Sequence, residues 1–408
     1  MSTYVCICVY KPLNLNMILF YAMFPLGFQY IQLYLLGFLT LRQTIFLKKT
    51  LNFENVYTAF VHTNISLSRK GILVGCGNPL LDISATVDDN FLQKYDLKPN
   101  DAILAAEKHM PLYKELVEKY NAEFIAGGSV QNSLRVCQWM LQKPNTAVFF
   151  GCIGHDSYGD ILYERARSNG VDVHYQRTKD APTGTCGVLI TGTHRSLCAN
   201  LAAANHFTID HLLTPEKQKL VDNAEYFYIS GFFLTVSPPS IQHIAQHAHK
   251  HNRTFLMNLS APFLSQFFSE PLMAALPYVD ILFGNELEAE AFAAAQGWDD
   301  KEMKEIGKKM LALPKQNSNR PRIVVLTQGH LPVLLIQENS IEEFPVERLE
   351  PNEIVDTNGA GDAFVGGFLA QYIQKKPLSV CIRSGIWAAR QIIQRSGCTF
   401  DGLPDFKE

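Results

Sequence analysis

Asp356-Thr-Asn-Gly-Ala-Gly-Asp-Ala-Phe364 is the stretch on which the reading of this 408-residue chain turns. A glycine-rich turn runs straight into a helical pattern, with Phe364, Phe368 and Tyr372 recurring every four residues on one face. Gly366-Gly367 would permit close packing against a next helix near 379–395. Glycines at 359 and 361 let successive backbone N–H groups point the same way, at a helix N-terminus whose dipole favours negative charge. Such a turn can cradle a phosphoryl group in transfer. Asp362 stands beside it at the helix start, where a carboxylate can take the proton of an attacking hydroxyl. The bland alternative is that Asp362 only caps the helix.

Working outward, short apolar runs alternate with amphipathic stretches from Gly71 onward. The runs at 72–75, 148–152, 187–191, 226–230, 255–258, 281–283, 323–327 and 333–336 read as strands. Several are apolar at consecutive positions, as strands buried on both faces of a parallel sheet require. Helical patterns fall between them at 110–120, 130–141, 237–251, 286–296 and 301–313. The alternation predicts an α/β, doubly wound, mostly parallel sheet. Between Asp82 and Thr208 the pattern is less regular, and pieces such as 83–87 and 123–126 read as an antiparallel insertion forming a small β-sheet lid, with its elements within 83–208.

Charge narrows the function classes. Residues 1–70 carry six basic residues and one acid, Glu54; the remainder holds 30 basic against 38 acidic residues, a net −8. A body this acidic lacks the basic patch of a nucleic-acid surface, so no nucleic-acid partner is expected. The nine cysteines form no CxxC pair, which argues against a disulfide framework or zinc site and for a reducing compartment. Residues 1–70 read as an extension. Pro12 to Leu41 is an uncharged run of thirty residues, long enough for a transmembrane segment over about 17–41, with Arg42, Lys48 and Lys49 placing the bulk in the cytosol. The same stretch also fits upstream sequence wrongly joined to a soluble enzyme. The catalytic pattern, in 71–408, is independent of that choice.

Three further motifs surround the first. Gly127-Gly128-Ser129-Val130-Gln131-Asn132 again puts glycines before a helix, so that a substrate can lie against backbone while Asn132 reaches a sugar hydroxyl; a plain tight turn is the alternative. In Gly77-Asn-Pro-Leu-Leu-Asp82, the Asp82 carboxylate can accept from both hydroxyls of a ribose, with Asn78 beside it; an ordinary strand–turn cap is the alternative. Asn285 and Glu288 lie three apart at a helix start, the spacing of a capping box. Arg195 is a candidate mobile cation for the phosphoryl group, against a solvated surface arginine.

Together these motifs resemble the ribokinase-like (PfkB) carbohydrate kinase family, over essentially all of 71–406. There is no GxxxxGK[ST] string, which separates the chain from P-loop kinases. The resemblance implies a ribokinase-like fold, Asp362 as the catalytic base, and the amides of Gly359, Ala360 and Gly361 as an anion hole. It implies that Asn285 and Glu288 order Mg²⁺ and its waters near ATP. The strings at 77–84, 200–205, 232–238 and 258–263 resemble the family's adenosine-phosphorylating members in particular, which implies transfer from ATP to the adenosine 5′-hydroxyl, giving AMP and ADP in purine salvage. The substrate set is then Asn78, Leu80, Asp82, Gly127, Gly128, Ser129, Asn132, Phe232, Phe263 and Asn358, with Leu80, Phe232 and Phe263 forming an apolar slot for the base. The pattern has a glutamine where Ala102 stands, and this departure removes a polar contact from base recognition. A monomer in the cytosol, with the nucleus as a second compartment, is expected; a membrane enters only through 17–41. Two alternatives remain: a related kinase for another nucleoside or sugar, and a catalytically silent binding protein on the same scaffold.

Overall fold

The computed structural model describes residues 70–408 except Asn100 and Thr193, and three short strands before them. The chain divides into two units, Met1–Leu67 and Ser68–Glu408. In the first, β1 (Val5–Tyr10), β2 (Met17–Ala22) and β3 (Gln32–Leu35) pair antiparallel in that order. The candidate span 17–41 thus contains two strand segments, and the rest of it lies outside the described residues. No helix among the described residues is long and apolar enough to cross a membrane.

The second unit is built on two sheets. Its strands are β4 (Leu73–Cys76), β5 (Leu80–Thr86), β6 (Ala102–Leu104), β7 (Glu123–Gly127), β8 (Ala147–Gly154), β9 (Asp172–Thr178), β10 (Thr185–Thr191), β11 (His194–Asn200), β12 (Tyr226–Ser230), β13 (Thr254–Asn258), β14 (Ile281–Asn285), β15 (Ile323–Gln328), β16 (Leu331–Gln337) and β17 (Ser340–Phe344). The larger sheet runs β17-β16-β15-β14-β13-β12-β4-β8-β9, parallel from β9 to β15 and closed by the antiparallel pairs β15–β16 and β16–β17. Consecutive apolar residues serve both faces, as the sequence pattern requires. Phe227 and Ile229 of β12 enter one core, with the helices at 238–250 and 286–295. Tyr226 and Tyr228 enter the other, with the helices at 129–141, 360–372 and 378–393. The two helical layers complete a doubly wound α/β sandwich.

Four helices position the site: α1 (Ser129–Leu141), α2 (Glu286–Ala295), α3 (Ala360–Tyr372) and α4 (Leu378–Ile393). The glycine pair in α3 serves two neighbours rather than one. A Cβ on Gly366 would lie 2.5 Å from the Ser133 carbonyl oxygen of α1, and one on Gly367 would lie 2.5 Å from that of Ser384 in α4. Each glycine therefore lets a different helix approach to backbone contact, and α1 and α3 start side by side.

The smaller sheet, β6-β11-β10-β5-β7, is the lid. It differs from the expected antiparallel insertion in two ways. Its β5–β10 and β6–β11 pairs are parallel, while β10–β11 and β5–β7 are antiparallel. It also begins at Leu80, and the chain returns to the main sheet for α1, β8 and β9 before completing it. Short alternating pieces reveal the lid strands but not their partners, because pairing joins segments about 100 residues apart. One face is covered by Phe91, Leu92, Leu112 and Leu116 from two lid helices. The other carries Leu80, Cys186, Val188 and Leu201 inward.

Candidate active site

A cavity of about 270 Å³ lies between the inward lid face and the C-terminal ends of the central strands. Asn78, Leu80, Asp82, Gly128, Ser129, Asn132, Phe232, Phe263, Asn285, Glu288, Asn358, Gly359, Gly361 and Asp362 all line it. Residues from six separate stretches of sequence thus meet in one hollow, where an open α/β sheet binds its ligands.

Asp362 sits in the first turn of α3, whose N-cap Gly359 adopts φ +77°, the left-handed region that glycine enters without strain. Ser129 Oγ donates to Asp362 Oδ1 at 2.6 Å, and Asn132 Nδ2 donates to Oδ2 at 3.1 Å. Both donors come from the first turn of α1. Burial pushes the Asp362 carboxyl up to about 6, and the two donors hold it from rising further. It is therefore a proton acceptor poised near neutrality and held by both oxygens, more than a helix cap requires. Asn132 was expected on a sugar hydroxyl; its amide nitrogen instead holds the carboxylate, although the residue does line the cavity.

The turn expected to cradle a phosphate is open at Gly361. A Cβ there would meet nothing within 4 Å, whereas one on Gly359 would lie 3.0 Å from Cys398 Cβ. Ala360, the first residue of α3, does not itself line the cavity, although its neighbours Gly359 and Gly361 do. Beneath the turn lies Asp356, 1 % exposed, which accepts from Asn358 N at 2.8 Å and Gly397 N at 2.9 Å. Its third partner is Arg195, whose Nε donates at 2.8 Å. The expectation of Arg195 as a cation reaching over the phosphoryl group is corrected here. Arg195 does not line the cavity; it is buried, donates also to the Val355 and His194 carbonyls, and ties lid strand β11 to the base of the turn. A buried guanidinium takes the nearest buried carboxylate, and sequence spacing carries no record of one 161 residues away.

At the lid end, Asp82 on β5 is buried, and burial first, then the neighbouring Asp362 charge, push its carboxyl up to about 8. The glycine pair makes room for it: a Cβ on Gly127 would overlap the Asp82 carboxylate at 2.3 Å, and one on Gly128, at φ +94°, would overlap the Asn78 carbonyl oxygen at 2.3 Å. Asn78 Nδ2 donates to the Phe232 carbonyl at 3.2 Å, while its Oδ1 is buried with no partner. An orphaned acceptor on a cavity wall calls for a ligand donor. Phe232 and Phe263 face each other with centroids 6.3 Å apart and form the apolar wall, and Ala102 of β6 lines the same hollow.

Asn285 and Glu288 form the capping box that their spacing allows. Asn285 N and Nδ2 donate to the two Glu288 oxygens at 3.0 and 2.9 Å, and Glu288 N donates to Asn285 Oδ1 at 2.9 Å. Both also line the cavity, and burial pushes Glu288 up to about 7. Capping and a second task are compatible because the two Asn285 donors and a Ser260 backbone donor still leave the carboxylate one lone-pair site. Among the described residues, no group of three or more His, Cys, Asp or Glu could by itself hold a metal.

Sequence reasoning missed Ser230, Asn258 and Ser260 on the cavity floor, and the anchoring role of Asp356. Asn258 and Ser260 lie at the C-terminal end of an apolar run and inside the family-like string 258–263, the two signals that could have marked them.

Comparison with known proteins agrees with this geometry. Residues 89–405 match the family described as pfkB family carbohydrate kinase. The chain belongs to this family, among its adenosine kinases. Adenosine kinase 2 of Arabidopsis thaliana is 51% identical over 336 residues, covering 82% of this chain and 97% of its own. A crystal structure of Anopheles gambiae adenosine kinase in complex with P1,P4-di(adenosine-5) tetraphosphate superposes with a TM-score of 0.82 at 60% identity, covering 83% of this chain and 100% of that one. Schistosoma mansoni adenosine kinase in complex with adenosine gives 0.78 at 36% identity, covering 82% and 98%. The family's α/β fold, with a large mostly parallel sheet and a second smaller one, is the fold found here.

Proposed function

We propose that this chain transfers the γ-phosphoryl group of ATP to the 5′-hydroxyl of adenosine, with Asp362 as the general base. One observation carries the reading: a half-buried carboxylate held by two side-chain donors stands beside an open helix N-terminus, in a cavity with a buried second carboxylate and an aromatic wall. The adenosine kinases it resembles at 36–60% identity support the choice of acceptor.

Adenosine lies with its base against Phe232 and Phe263 and its ribose diol on Asp82 and the orphaned Asn78 Oδ1. Diol donors favour ionised Asp82, so sugar binding offsets the cost of burying that charge. The 5′-hydroxyl then faces Asp362, which accepts its proton as the new P–O bond forms. The amides at 359–361 take up charge on the transferring oxygens, in a cavity the lid screens from water. The nucleotide would bring Mg²⁺, which Asn285 and Glu288 would hold. Glu288, forced up by burial with no cation among its hydrogen-bond partners, suits a place beside a cation, and with Asn285 would hold the ion's waters. When bound, the ion offsets phosphate charge. The apolar wall favours a nucleoside over a simple sugar, and the intact Asp362 turn argues against a silent binding protein.

The test is AMP formation by the purified full chain from adenosine, ATP and Mg²⁺, beside inosine, cytidine and ribose as acceptors. Adenosine is expected to give the highest kcat/KM. Preference for another acceptor would reassign the substrate, and binding of adenosine with no AMP formed would remove the enzyme reading.

A further inference from the structure

Arg135 is a buried cation whose charge lowers the pKa of the Asp82 carboxyl but which the proton transfer above does not use. It lies in α1, one turn beyond Asn132, and is 5 % exposed. Its hydrogen-bond partners are neutral. Nη1 donates to Asn132 Oδ1 at 3.2 Å and to the Ala126 carbonyl at 2.9 Å, and Nε donates to Asn169 Oδ1 at 2.8 Å. The guanidinium also lies over the ring of Phe400, 5.6 Å from its centroid. A guanidinium has no acceptor, so it can engage only the oxygen end of the Asn132 amide. The nitrogen end is thereby turned toward Asp362 Oδ2. Were the amide reversed, its oxygen would face a carboxylate and its NH₂ a cation, both repulsive.

We propose that Arg135 is a positioning residue for phosphoryl transfer: by fixing the Asn132 amide, it orients the carboxylate that takes the acceptor's proton. This rests on the reading of Asp362 as the base. Arg135 touches neither substrate nor the reacting atoms; it acts through Asn132. Its two other partners anchor the relay. Ala126 precedes the Gly127-Gly128 turn, and Asn169 follows the helix at 157–168, so the guanidinium joins the floor of the acceptor site to the body beneath it. Lysine could replace one of these contacts but not all, because one ammonium does not span the guanidinium's fork.

Steady-state kinetics of full-length Arg135→Met, Arg135→Lys, Asn132→Ala and Asn132→Ala/Arg135→Met test this. Arg135→Met is expected to lower kcat 30- to 100-fold, with KM for ATP changed less than about threefold. Arg135→Lys restores kcat to within about fivefold of wild type. The double variant is no slower than Asn132→Ala by more than about twofold, since the arginine has then lost the group it acts through. Multiplicative losses in the double variant, or unchanged kcat in folded Arg135→Met, would overturn the inference. Should Arg135→Met fail to fold, Asn169→Ala takes its place. It frees one side of the guanidinium and is expected to lower kcat a few-fold in the wild-type background and not in Asn132→Ala; equal losses in both backgrounds overturn the relay. Wild type assayed alongside separates the two readings: no AMP from wild type removes the function, whereas AMP from wild type and from Arg135→Met at equal rates removes only this role.

Discussion

The two glycine turns of the site look alike in sequence and need their glycines for opposite reasons. Gly128 and Gly359 both cap thirteen-residue helices at positive φ. At the acceptor turn the space is full: added Cβ atoms on Gly127 and Gly128 would strike Asp82 and Asn78 at 2.3 Å. At the phosphate turn the space beside Gly361 is empty. Gly127 and Gly128 are glycine because the protein itself comes close; Gly361 is glycine because something else must, while its neighbour Gly359 is held by its positive φ and by Cys398, 3.0 Å from an added Cβ. Ser129 donates to Asp362 where the two helix starts meet, so crowding on one side orients the base for the opening on the other.

Asp362→Asn is the largest break. It should lower kcat by about 10³-fold, within the range for loss of a general base, with adenosine affinity retained. Calorimetry should show the same variant more stable at pH 7.5. The folded state raises the Asp362 carboxyl from its ordinary value to about 6, so it favours the protonated form, and stability is lost as pH rises through that range. The shift corresponds to roughly 3 kcal/mol at most, and the gain over wild type should vanish below about pH 4. A loss of stability at pH 7.5 would contradict burial as the cause.

The glycines separate next. Gly128→Ala should destabilise the fold by about 2–4 kcal/mol, from strain at positive φ and the clash with Asn78. Gly361→Ala should leave the melting temperature unchanged or raised, because alanine favours a helix, yet lower kcat at least tenfold as its methyl enters the cradle. Equal melting temperatures for the two variants would erase the distinction between full and empty space. The smallest effect is expected from Ser129→Ala. Removing a donor to ionised Asp362 raises its pKa, so the acid limb of kcat, near pH 6 in wild type, should move to higher pH while the alkaline plateau falls only a few-fold. An unmoved limb would detach the titration from Asp362.

Much of this was legible beforehand for a local reason. Runs such as 226–230 and 281–283 are apolar at consecutive positions, and only a strand covered on both faces needs that. The signature turn reads as a phosphate cradle because glycine spacing and helix start are properties of neighbouring residues. The lid was less legible. Its edge strand β6 is three residues long, and the parallel pairing of β5 with β10 depends on segments far apart. Arg195 misled for the same cause: its exposure and partner are decided by Asp356, across the lid boundary.

By itself the sequence determined which groups are available: the carboxylates of Asp82, Glu288 and Asp362, the glycines that shape their loops, and the sheet that carries them. Only the tertiary structure decided what those groups touch. Packing at Gly366 brings α1 against α3, and a hydrogen bond between Ser129 and Asp362, 233 positions apart, exists only once that contact has formed. Backbone periodicity is a short-range property, but a buried polar side chain takes whichever partner the packed interior leaves within reach.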